Sequence, residues 1–430
     1  MTGAQARLLP PSIPYRFFVA AGLFHICAWA LVLTGAGQVT EFQGGAGIAL
    51  AALHALTLGV FAMTAMGASF QILPVVTNSS LSTLWQPRLT SWLFIPGVGA
   101  LIFGFATGHM MAMSVGGILV VAGLGLYIFV ISSLLRHAKG FRVLTIHVRM
   151  AFVALAALAV IGLGMILDFM PTDRILTAAA HGGLAIYGFM GLLVMGFSAI
   201  LVPMFALASP ASEGRSLSIL AAYVAGLAVA MFGAFTVQNE VAVIGCGLLL
   251  LSTVAHVQTM TELLKKGMKK KLGQSFVLIR TSWVLFPLSI ALGIAAVSGV
   301  PFDQAMLTAG YVAVFGWLLT FVLGIQQQIM PFLAAMNVSK VGNVPPRLSQ
   351  LAKGLPLKIH AVCHFIAIAL VGIGIITNLE VFVQAGSVFG LVGAFSFLWF
   401  TLDVYRRMLA GSQEQSAQET GMPLKERSPI

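Results

Sequence analysis

Twelve long apolar runs, separated by short segments that hold nearly all the charge, fix what this chain can fold into. They lie near 15–35, 47–76, 90–108, 110–135, 148–168, 175–207, 216–236, 241–262, 276–299, 304–335, 357–377 and 381–405. A helix needs about 20 apolar residues to cross a bilayer, so twelve such runs occupy most of the 430 residues. Only 8% of the chain is charged and 59% is hydrophobic, whereas soluble domains are roughly a quarter charged. That balance excludes a soluble enzyme, a nucleic-acid-binding domain and a secreted disulfide scaffold. The first run is long enough to remain as a span rather than act as a cleaved signal. Cys27, Cys246 and Cys363 fall inside apolar runs without metal-site spacing and read as buried structural thiols.

Charge orients the spans. With the N-terminus in the cytoplasm and spans alternating, all of the 23 basic residues except Arg174 fall in inner loops or tails. The outer loops instead carry Glu41, Asp168, Asp173, Glu240, Asp303 and Glu380. This is the positive-inside pattern, and it places both termini in the cytoplasm. The net charge of +11 is therefore loop bias, and no nucleic-acid partner is expected. The lysine-rich run Lys265 to Lys271 follows span 8 on the inner side, where it anchors the span against anionic lipid. The polar tail over 412–430 reads as disordered.

Three spans share one ladder. Span 2 carries His54, Gly59, Gly67 and Pro74; span 6 carries Gly183, Gly188, Gly196 and Pro203; span 10 carries Tyr311, Gly316, Gly324 and Pro331. The spacing is identical each time, with no gaps. Arg16, Arg149 and Arg280 stand at the inner starts of spans 1, 5 and 9, which repeats the same period of four. The expected fold is an all-α integral membrane protein of 12 transmembrane helices, built as three four-helix arcs with pseudo-threefold symmetry. The repeats run over about 1–142, 143–272 and 273–411. Glycines eight apart share nearly one helix face and permit close backbone packing. Two repeats, rather than three, are usual in transporters.

The ladder, and above all "HALTLGVFAMTAMGASFQILP" from His54 to Pro74, resembles the catalytic subunit of the heme-copper oxidases and nitric oxide reductases. It is more similar still to the smaller NnrS-type membrane proteins of that superfamily. The resemblance implies a bacterial inner-membrane, multi-pass protein holding heme, of b type, with His54 as an axial ligand. It also implies a small gaseous or redox ligand such as nitric oxide or oxygen, and an electron-donor protein. The chain departs from the family at its other ligand steps. Helix 10 has Tyr311 and Ala309 where the family has heme-ligating histidines, and helix 7 has no histidine for the copper pair. The cofactor set is incomplete, copper is weakly supported, and a proton-pumping oxidase with the full binuclear centre is not expected.

Ionisable groups inside spans are functional candidates by default. His54 sits about 10 Å deep from the outer end of span 2, His181 lies at a similar depth on span 6, and Tyr311 matches them on span 10. The expected iron ligands are His54 with His181, beside Gly182 and Gly183, which leave room for a macrocycle edge. Tyr311 and His25 are further cofactor-binding candidates, and a packing role is the alternative for each. His360 and His364, at i and i+4, share a helix face that suits a metal. Their position near the start of span 11 favours instead an interfacial pair that contacts headgroups or loop carbonyls. The competing function is a cofactor-free transporter or metal-delivery protein on the same fold.

Overall fold

The computed structural model describes residues 3, 7–170, 173–302, 304–341 and 346–420. Twelve helices among them are long and apolar enough to cross a membrane. They are Ser12–Thr34, Ile48–Val76, Trp85–Thr107, Met110–Arg136, Arg142–Leu167, Arg174–Ala206, Glu213–Phe235, Asn239–Lys266, Ser275–Val297, Ala305–Ser339, Gly354–Thr377 and Glu380–Ser412, numbered 1 to 12 here. No strand occurs among the described residues. The chain is a multi-pass membrane protein.

Burial sorts these helices. In their most apolar stretches, helices 2, 6 and 10 have 67, 83 and 78% of residues buried, against 33 to 50% for the other nine. The three ladder helices therefore form the centre. Helices 3 and 4, 7 and 8, and 11 and 12 pack as antiparallel hairpins, and helix 4 meets 5, helix 8 meets 9 and helix 12 meets 1. The ladder glycines explain how the centre closes. A Cβ on Gly59 would lie 2.5 Å from Phe24 of helix 1, and one on Gly196 would lie 2.6 Å from His147 of helix 5. On helix 10, a Cβ at Gly324 would sit 3.0 Å from Leu278 of helix 9.

Each central helix also contains a π-helical stretch, over Thr57–Ala62, Leu184–Met190 and Val312–Leu319. Each stretch contains the first ladder glycine after the His54, Gly183 or Tyr311 step, and each contacts the other two. Such π turns concentrate at functional sites. The ladder prolines lie inside the helices toward their C-terminal ends. After Pro74 and Pro203 the chain caps off, with Ser79 N–H donating to the Pro74 carbonyl at 3.1 Å and Ala208 N–H to that of Pro203 at 2.9 Å.

The expectation for the tail changes over 412–420. The segment expected to be disordered from 412 onward is helical as far as Thr420, continuing helix 12. Its "SQEQSAQET" sequence is rich in helix formers and has no glycine or proline to stop the helix. Asp303 and the tail over 421–430 lie outside the described residues.

Candidate functional site: two groups of buried histidines

His54 and His181 each stand three residues before the π stretch of their helix, and the fold brings them together. Their ring centroids are 6.4 Å apart, with planes inclined by 22°. His54 Nδ1 is 3.0 Å from the Leu50 carbonyl, and His181 Nδ1 is 2.9 Å from the Leu158 carbonyl on helix 5. A carbonyl only accepts, so both rings carry their proton on Nδ1 and expose a lone pair on Nε2. No hydrogen bond among the described residues reaches either Nε2.

The surroundings seat both rings. Phe105 of helix 3 lies 4.8 Å from His54. Gly162 of helix 5 lies beneath His181, where an added Cβ would come within 2.8 Å of the imidazole Cε1. Gly182 faces open space, with nothing within 4 Å of an added Cβ, whereas Gly183 is backed by Met231. Phe105, Gly162 and the Leu158 carbonyl were not singled out by sequence reasoning. They belong to neighbouring helices, and no spacing rule links them to a histidine.

Tyr311 and His25 lie elsewhere. The Tyr311 hydroxyl donates to the Ile368 carbonyl of helix 11 at 2.8 Å, and its ring stacks on Phe315. His25 belongs to a second group with His360 and His364. Ring centroids are 6.3 Å apart for His25 and His360, and 5.5 Å for His360 and His364. All three rings are buried, with His360 wholly enclosed. The expected interfacial placement of His360 and His364 is therefore overturned. Helix 11 begins at Gly354, and both rings point into the bundle against helices 1, 10 and 12 rather than toward headgroups.

The hydrogen bonds of this group fix its chemistry. Trp29 N–H donates to His25 Nε2 at 3.0 Å, which leaves the His25 proton on Nδ1. His360 Nδ1 lies 3.2 Å from the Gly393 carbonyl, which leaves its lone pair on Nε2. Both remaining atoms, His25 Nδ1 and His360 Nε2, are buried without partners. His364 Nε2 pairs with the Thr320 hydroxyl at 2.8 Å. A metal needs lone pairs, and that of His25 is already used by Trp29. Among the described residues, no three His, Cys, Asp or Glu side chains converge as a metal site.

Between helices 6 and 10 the space is filled by aromatic rings. Phe286 stacks on Trp317 at 3.6 Å, and Tyr187 lies 5.7 Å from Trp317. The Tyr187 hydroxyl donates to Ser289 at 3.0 Å. Between helices 2 and 6, by contrast, the His54 and His181 rings lie side by side, each with its Nδ1 on a backbone carbonyl. No family model matches the chain, and no curated protein matches its sequence.

Proposed function

We propose that the chain is a heme-binding membrane protein in which His54 and His181 would hold one iron between them. The observation that carries this reading is the separation of the pair. An imidazole nitrogen bonds a transition metal at about 2.0–2.1 Å and stands about 1.1 Å from its ring centre, so two rings on one iron lie about 6.3 Å apart. The 6.4 Å between His54 and His181 fits that value. Both Nδ1 protons are held by backbone carbonyls, the arrangement that orients metal-ligating imidazoles and raises their basicity. Open space beside Gly182 suits the edge of a flat ring system.

A bound heme would supply one-electron redox chemistry or a site for a small gas such as nitric oxide or oxygen. The chain's own part is narrower. Leu50 and Leu158 fix the ring tautomers, Gly162 admits the His181 imidazole, and Phe105 covers one side of His54. With two strong nitrogen donors the site favours electron transfer over ligand capture, since capture requires one donor to leave.

The same proposal includes the architecture resembling the heme-copper superfamily, with three four-helix arcs in a bacterial inner membrane and both termini cytoplasmic. The recurrence of helix pairings every fourth helix, and of a π stretch at the same ladder step in helices 2, 6 and 10, supports the arcs. The test is the visible spectrum of purified protein expressed with ample heme. A Soret band with sharp reduced α and β bands is the expected result. Its absence would return the chain to the transporter or metal-delivery reading.

A further inference from the structure

A separate cavity lies among helices 5, 6, 7 and 8, toward the end that carries Arg142 and Lys266. It has a volume of about 10 Å³, which is room for one atom or one water. His147, Met195, Ser216, His256, Thr259 and Met260 are among its lining residues. His147, His256 and both methionines are buried. None of these groups takes part in the His54–His181 pair.

Most of the polar lining offers electron pairs, and the Ser216 hydroxyl there can also donate. His147 Nδ1 lies 2.8 Å from the Val143 carbonyl, so its proton is committed there and its Nε2 offers a lone pair. His256 Nε2 is buried and has no partner. The Thr259 hydroxyl donates back to the Ala255 carbonyl at 2.7 Å and supplies no proton to the cavity. His256 and Met260, four apart, present one face of helix 8 to the hole. The His25–His360 gap pairs a donor with an acceptor, whereas this cavity gathers imidazole nitrogen and thioether sulfur, both electron-pair donors. Thioethers bond water poorly and soft metal ions well.

We propose that this cavity binds one soft monovalent metal ion, of the Cu(I) or Ag(I) kind, through the His147 and His256 imidazoles and the Met195 and Met260 thioethers. The carbonyl on His147 Nδ1 orients that ring as outer-shell partners of metal-bound imidazoles do. The site is distinct from the copper position of the resembled family, which draws on helix 7 histidines that this chain lacks.

Chelator-stripped protein in nanodiscs, titrated with Ag(I) and analysed for bound metal, tests this. Wild type should retain one ion per chain that His54→Ala and His181→Ala do not alter. The shape-conserving pair Met195→Leu with Met260→Leu should weaken retention at least tenfold with helicity unchanged. His147→Phe with His256→Phe should abolish it, and X-ray absorption should report sulfur and nitrogen neighbours in the first shell. Retention equal in wild type and the methionine pair would overturn the proposal. So would a wild type that holds no silver, leaving a bound water as the occupant.

Discussion

The indole N–H of Trp29 is bonded to Nε2 of His25 at 3.0 Å, one helical turn away on the same face of helix 1. That contact fixes the His25 tautomer and leaves a buried Nδ1 proton facing a region where His360 offers a bare lone pair. At 6.3 Å between ring centres, the pair is too far apart for a direct bond and suited to one bridging water. A density map near 2 Å resolution should show a single water within hydrogen-bond range of both nitrogens. Density at metal-ligand distance from three imidazoles would refute this. Substituting His360→Phe should strand the His25 proton and cost about 1–3 kcal/mol in denaturant titration. The double variant His25→Phe with His360→Phe should cost less than the sum of the two singles.

The two proposed iron ligands make different predictions. His54→Ala should lose heme or turn high-spin while circular dichroism stays unchanged. His181→Ala should retain heme but convert it to a five-coordinate, high-spin form that binds nitric oxide more readily. An unchanged α band and spin state in His181→Ala would mean that the pairing is wrong and that His54 works alone with an open face.

Two neighbouring glycines offer a control without touching a ligand. An added methyl at Gly162 meets His181 Cε1 at 2.8 Å, while one at Gly182 meets nothing within 4 Å. Gly162→Ala should therefore shift the reduced spectrum toward that of His181→Ala, and Gly182→Ala should leave it alone. Equal behaviour of the two variants would contradict the seating of His181 against helix 5.

The central packing can be probed in the same way. A methyl at Gly59 meets Phe24 at 2.5 Å, but at Gly316 the nearest atom, on Leu285, is 3.4 Å away. Gly59→Ala should destabilise by about 1–3 kcal/mol through overpacking. Gly316→Ala should be neutral or gain up to about 1 kcal/mol of helix propensity. Thermal unfolding in detergent distinguishes them.

Topology has a direct test. A reporter fused after Ile430 should be active only if it functions in the cytoplasm, because Arg174 is the one basic residue on the other side in the proposed orientation. Activity of a periplasm-dependent reporter would invert the assignment.

The bundle was legible because membrane spans announce themselves by length and hydropathy, and because the ladder repeats without gaps. The meeting of His54 with His181 followed from their matching depths on two ladder helices. Depth alone misled at His360 and His364, since counting residues from a helix end says nothing about which way a ring points. Their burial depends on His25, Thr320 and Gly393, contributed by helices 1, 10 and 12. The cavity at His147 and His256 was hidden for the same reason, as it is closed by side chains from four helices. The π stretches each hold a ladder glycine, but no sequence pattern there announces the wider turn.

Those stretches make each central helix two rods joined by a phase slip. An α-helix advances about 100° per residue, so the surplus residue of a wide turn rotates everything before it by about that angle relative to everything after it. On helix 2 the slip over Thr57–Ala62 lets the N-terminal rod aim His54 at helix 6 while the C-terminal rod aims Gly67 at helix 1. Neither direction has to be compromised for the other. Removing a single residue from that stretch would leave composition, span length and ladder chemistry almost untouched, yet swing the His54 imidazole away from His181 and into a neighbouring helix.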